Sequence, residues 1–125
     1  MEKKRTRKVL VVDDDAQYLE AVARILRSGG YAVVTRASVI GTSAAVASER
    51  PDMVLIDMDM PALDGDRLAL LIQRKIANVP LLVLISGMDP QALSERGRAC
   101  GANAVISKVV LPREFLERVA SVFSH

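Results

Sequence analysis

Five polar residues stand where apolar runs of this chain end. Asp13 and Asp14 close Val9-Leu10-Val11-Val12, Asp57 closes Met53-Val54-Leu55-Ile56, Ser86 closes Leu81 to Ile85, and Lys108 follows Ala104-Val105-Ile106-Ser107. Taken singly, each has an ordinary explanation. An aspartate triplet, Asp13 to Asp15, suits a helix N-terminus, where acids accept backbone N–H bonds and complement the dipole; Asp57 and Ser86 suit turns, and Lys108 suits a solvated tip. Together they make a chemical set. Carboxylates about 4 Å apart repel by several kcal/mol per pair at an effective dielectric of about 20, a cost that a divalent cation relieves. All-oxygen ligation with few protein ligands favours Mg²⁺, commonly shared with a phosphate. A lysine opposite the cation and a hydroxyl between them suit the oxygens of a transferring phosphoryl group. In such a site Asp57 is the candidate nucleophile.

That chemistry requires the runs to end at one place. Val9 to Val12 is continuously apolar, the pattern of a strand covered on both faces. From Ala16 to Ser28, Leu19, Val22, Ala23 and Leu26 recur at i, i+3, i+4 and i+7 and form one helical face; Gly29-Gly30 ends it with the left-handed conformation that glycine tolerates. Tyr31 to Thr35 reads as a second strand and Val39 to Arg50 as a short alanine-rich helix closed by Pro51. Met53 to Asp57 is the third strand, followed by a Pro61 to Gly65 turn and a helix from about Asp66 to Ile76 that buries Leu68, Leu71 and Ile72. Leu81 to Ile85, a helix from about Pro90 to Ala99 stopped at Gly101, and the short strand Ala104 to Ile106 come next. The last helix, Pro112 to Phe123, has proline in its first turn and aligns Phe115, Val119 and Val122.

Five apolar strands alternating with five helices predict an α/β domain with a mainly parallel sheet. Right-handed crossovers then place helices on both faces and all strand C-termini on one edge, where ligands bind at the switch point of strand order. Composition agrees with one domain over residues 1–125. The chain is 125 residues long and half hydrophobic, in the common size range of single domains. Its longest apolar stretch, Val79 to Ile85, is far short of the roughly 20 residues that span a bilayer. No cleavable leader is visible, and the lone Cys100 can form no internal disulfide, so a cytoplasmic protein is expected. A net charge of +2 names no partner. Lys3, Lys4, Arg5 and Arg7 form a basic arm over residues 1–7, read as a solvated leader; neither membrane binding nor direct nucleic-acid binding is expected.

The strand end Val11-Val12-Asp13-Asp14-Asp15, the segment from Asp57 through Met60-Pro61 to Asp64-Gly65, Ser86-Gly87 and Lys108 together resemble the receiver domain of bacterial two-component response regulators. The match covers nearly the whole chain in order. The resemblance implies a flavodoxin-like fold, a five-stranded parallel sheet of order 2-1-3-4-5. It implies that Asp57 accepts a phosphoryl group from a histidine kinase or histidine phosphotransfer protein and that the change is passed to a downstream protein. By the same correspondence, Asp14 and Asp57 ligate Mg²⁺, Asp13 acts largely through water, the backbone carbonyl of Asp59 completes the set, and Ser86 and Lys108 bind phosphoryl oxygens. The resemblance further implies a chain that assists its own phosphorylation and dephosphorylation without being an enzyme in the wider sense.

Two positions depart from the family pattern. Its usual tyrosine or phenylalanine three residues before the lysine, a switch position, is Val105, and its usual lysine-proline pair is Lys108-Val109. A cis bond before a non-proline residue costs about 3–4 kcal/mol, so either a strained bond persists or the loop differs. Asp59 adds an acid beside the acceptor. Two other readings follow from these residues. One is a receiver-like interaction module not regulated by phosphorylation. The other is a haloacid dehalogenase-like phosphatase, whose Asp-x-Asp signature Ile56-Asp57-Met58-Asp59 resembles, although Met60-Pro61 follows and no later paired-acid motif appears. The sole histidine, His125, reads as a tail residue.

Overall fold

A computed structural model describes residues 5–59, 72–74 and 77–124, the side chains of Pro90 and Cys100 excepted. Strands β1 (Lys8–Val12), β2 (Ala32–Arg36), β3 (Met53–Asp57), β4 (Leu81–Ser86) and β5 (Ala104–Ser107) form one sheet in the order β2-β1-β3-β4-β5, every pair parallel. Helices α1 (Ala16–Ser28), α2 (Thr42–Glu49), α3 (Pro90–Cys100) and α4 (Pro112–Phe123) lie between and after the strands. Ile72, Gln73 and Arg74 are helical, within the span predicted at 66–76. The rest of that helix, Leu68 and Leu71 with it, the Pro61 to Gly65 turn, Lys3, Lys4 and His125 lie outside the described residues.

Side chains alternate across a strand, and the alternation sorts the core into two layers. Leu10, Val12, Val54, Ile56, Leu82 and Leu84 meet Ala45 and Val46 of α2, Ile72, and Leu93 of α3 on one face. Val9, Val11, Met53, Leu55, Val83, Ile85 and Ile106 meet Leu19, Val22 and Leu26 of α1 and Phe115 and Val119 of α4 on the other. The three central strands are buried throughout except at Lys8 and Leu81, whereas β2 and β5, at the edges, are only partly buried. Continuous apolar runs therefore mark the centre of the sheet. Val122 is half-buried at the fringe of the α4 contact.

Strand and helix ends follow the predicted punctuation closely, with one shortened helix. α2 begins at Thr42, three residues after the predicted start, because Ser38 Oγ accepts the Ile40 N–H and Gly41 is left-handed at φ 79°, so residues 38–41 form a turn. It ends where Arg50 turns left-handed at φ 50° before Pro51, which disfavours a continued helix. At the end of α1 it is Gly30, at φ 92°, and not Gly29 that uses glycine's freedom, while Gly101 stops α3 at φ 76° as predicted.

Candidate functional site

Asp13, Asp57 and Lys108 extend the register rows of Val11, Leu55 and Ile106, the face covered by α1 and α4. Ser86 extends the row of Leu84 on the opposite face. The sheet's C-terminal edge thus brings residues of both faces together. Of the aspartate triplet, Asp15 alone takes the capping work: its Oδ1 accepts the N–H groups of Gln17 and Tyr18 at 3.0 and 3.3 Å. Asp13 and Asp14 are left for the edge. Asp13 is wholly buried and Asp57 is 2% exposed, whereas Asp14 is exposed.

Lys108 joins the two buried acids. Its Nζ lies 2.8 Å from Asp13 Oδ2 and 3.1 Å from Asp57 Oδ1. Asp57 Oδ1 also accepts the Asp59 N–H at 2.9 Å, and Asp13 Oδ1 accepts the Asp15 N–H at 2.9 Å. Burial pushes the Asp57 carboxyl above its ordinary value and the Asp13 charge adds to this, against the opposing pull of the Asp59 N–H and Lys108. Burial alone would lower the Lys108 ammonium, but its contacts with Asp13 and Asp57 outweigh burial and hold it above its ordinary value.

One aromatic belongs to the site that the helical pattern of α1 did not single out. Lys108 Nζ stands 4.5 Å from the centroid of the Tyr18 ring, a cation–π contact. Burial, with Asp13 and Asp57 adding to it, raises the Tyr18 hydroxyl to about 12, so Tyr18 is a neutral wall. Its position three residues past the Asp15 cap, facing back over the first turn, was the available signal.

The acids fit a hard cation. Oxygens of Asp13, Asp14 and Asp57 all lie within 4.8 Å of one another. Asp13 Oδ2 is buried and, although close to Lys108 Nζ, receives no hydrogen bond in acceptable geometry; the contact is one of charge. A buried carboxylate oxygen with an open lone pair, beside two further carboxylates, is the donor set that Mg²⁺ takes.

Ser86 is fully buried and engaged. Its hydroxyl lies 2.8 and 2.9 Å from the two oxygens of Asp59, the Gly87 N–H donates to Asp59 Oδ2 at 3.2 Å, and the Met88 N–H donates to Ser86 Oγ at 3.0 Å. The Lys108 N–H donates to the Ser86 carbonyl at 2.9 Å, tying the ends of β4 and β5.

Val105 pairs with Leu84 across the sheet and is packed by α3, where a Cβ added to Gly97 would stand 2.5 Å from Val105 Cγ1. Helix and strand meet at van der Waals distance in the absence of a ring. Among the described residues no peptide bond is cis, so Lys108-Val109 is trans and the loop takes its own path, the Val109 N–H donating to Ser107 Oγ at 3.2 Å.

With this geometry in view, the family model of the response regulator receiver domain matches residues 9–120. The chain belongs to that family. It is 27% identical over 115 residues to the phosphate regulon transcriptional regulatory protein PhoB of Pseudomonas aeruginosa, covering 91% of this chain and 50% of that protein. It is 31% identical over 117 residues to the transcriptional regulatory protein PrrA of Mycobacterium tuberculosis, covering 92% and 49%. This receiver domain therefore spans about half the length of the curated relatives it matches. Among solved structures it is similar to the chemotaxis protein CheY4 of Vibrio cholerae, with a TM-score of 0.83, 25% identity and coverage of 94% and 99%. A CheY-like receiver domain protein of Methanospirillum hungatei gives 0.82, 26%, 94% and 93%. Among the described residues no helix is long and apolar enough to cross a membrane.

Proposed function

We propose that this receiver domain is a phosphoacceptor in a two-component pathway, with Asp57 taking the phosphoryl group of a phosphohistidine on a histidine kinase or histidine phosphotransfer protein. The observation that carries the proposal is the placement of Lys108 Nζ between two buried carboxylates, Asp13 and Asp57, at the edge of a parallel sheet. In the transfer a carboxylate oxygen of Asp57 bonds to phosphorus, the phosphorus–nitrogen bond breaks, and the electron pair leaves with the imidazole, which is then free to take a proton. Asp13, Asp14 and Asp57 would hold Mg²⁺, with the Asp59 carbonyl as a further oxygen. Bound there, the cation would offset the charge gathering on the phosphoryl oxygens.

This chain's own groups do the remaining work. The Asp59 N–H and Lys108 hold the Asp57 carboxylate in one orientation. Lys108, drawn to its acids before transfer, is placed to follow the new negative charge. Tyr18 and the buried ends of β1 and β3 limit water on that side. Ser86 would donate to a phosphoryl oxygen once its hydroxyl is released. The output goes to a downstream protein in the cytoplasm, with no direct contact to nucleic acid by this domain.

Intact mass after incubation with acetyl phosphate and Mg²⁺ tests the proposal. The wild-type protein should gain one phosphoryl group and Asp57→Asn none. No gain, or an equal gain in both, would favour an interaction module that works without phosphorylation.

A further inference from the structure

The Asp59 carboxylate holds the groups that a phosphoryl group on Asp57 would need. Its two oxygens take the Ser86 hydroxyl and the Gly87 N–H. Its backbone is fixed beside the acceptor, because the Asp59 N–H donates to Asp57 Oδ1. The Met88 N–H points at Ser86 Oγ and occupies one of its lone pairs, so the hydroxyl proton is directed away from Met88 and toward Asp59. A hydroxyl has one proton. It cannot serve the Asp59 carboxylate and a phosphoryl oxygen together, and two anions sharing that corner would repel.

We propose that Asp59 is a tethered stand-in for the phosphoryl group, an internal anion that latches the Ser86-Gly87-Met88 loop inward before Asp57 is phosphorylated. This rests on the reading of Asp57 as phosphoacceptor. The loop then needs no inward movement when the phosphoryl group arrives: one anion replaces another, and the displaced Asp59 side chain turns out to solvent. Asp59 lies on the exposed side of the site while Ser86 is fully buried, so the carboxylate has somewhere to go and the hydroxyl does not. The device sits at the position where the strand-to-helix loop leaves β4 for α3, the helix that packs on Val105.

Amide hydrogen exchange at Gly87 and Met88 tests the latch in wild type, Asp59→Ala and Asp59→Asn, each alone and with Mg²⁺ and beryllium trifluoride, a stable phosphoryl stand-in. Before the fluoride is added, Asp59→Ala should exchange at Gly87 about tenfold faster than wild type or more, the effect of losing a charged acceptor, and Asp59→Asn should fall between. With the fluoride bound, wild type should keep its protection unchanged and Asp59→Ala should regain it. Equal exchange in wild type and Asp59→Ala before addition overturns the latch. Failure of the fluoride to restore protection in Asp59→Ala overturns the stand-in. Absence of an Asp57-dependent phosphoryl gain would instead remove the phosphoacceptor reading, and the exchange of the unmodified proteins would still decide whether Asp59 holds the loop.

Discussion

Lys108→Met isolates the electrostatic core of the site, because methionine keeps the length of the side chain and removes its charge. At an effective dielectric of about 20, contacts of 2.8 and 3.1 Å correspond to about 5–6 kcal/mol of attraction each. The cost of taking three charges out of water cancels most of that. What remains on removing one member of a buried pair is about 3–5 kcal/mol, since the partner charges stay behind uncompensated. The Lys108 side chain keeps 18% of its surface in water, which shifts the expected loss below that range, to about 2–4 kcal/mol. For a chain of this size that lowers Tm by about 8–16 °C. Freed of the competing ammonium, Asp13 and Asp57 of Lys108→Met should also bind Mg²⁺ about tenfold tighter, so that saturating Mg²⁺ narrows the stability gap by about 1.4 kcal/mol. Urea unfolding of both proteins with and without Mg²⁺ measures all of this. A metal-free loss below about 1 kcal/mol, the value of a surface pair, or a gap that Mg²⁺ leaves unchanged, would refute the account of Lys108 as the counterion of two buried acids.

Two further outcomes follow from other contacts. Gly97→Ala places a methyl 2.5 Å from Val105 Cγ1 and should cost about 1–3 kcal/mol through overpacking, with Val105→Ala in the same chain recovering most of it; a double-mutant cycle with no coupling would show that α3 and β5 do not meet there. Asp52 is held below the ordinary carboxylate value despite its burial, by the Arg5 guanidinium at 2.6 Å and the Lys8 N–H. A depressed acid contributes stability above its ordinary value that is lost as pH falls through the depressed one. Asp52→Asn should therefore be slightly less stable than wild type at neutral pH, the difference being small because Arg5 is largely exposed, and equal to it once both are acidified below the Asp52 titration. Unfolding measured across the acid range checks this, and a difference that persists at low pH would assign the effect to packing.

The central strands were readable because burial on both faces demands apolar residues without interruption, and β1, β3 and β4 have them. Their ends, marked by Asp13, Asp57 and Ser86, placed the site along with them. α2 was harder, since its alanine-rich sequence has no apolar stripe to set its limits, and its start depends on the Ser38 hydroxyl and the left-handed Gly41. The triplet Asp13 to Asp15 was divided by the family resemblance and not by residue chemistry, as three identical side chains give no hint that only the third faces the helix amides. Least visible was the partner of Asp59. Ser86 lies 27 residues away, on a neighbouring strand, and only the path of the two loops brings the acid to that hydroxyl and not to open water.

The alternation that split the core also divides the edge. Asp13, Asp57 and Lys108 grow from the layer under α1 and α4, whereas Ser86 and Val105 grow from the layer under α2 and α3, with the sheet between them. Asp59 is the stitch across that divide. A substitution in α3 or its contacts therefore reaches the layer of Ser86 and Val105 without touching the acids and lysine on the other side of the sheet. Residue 59 touches both layers, through its N–H on Asp57 and its carboxylate on Ser86.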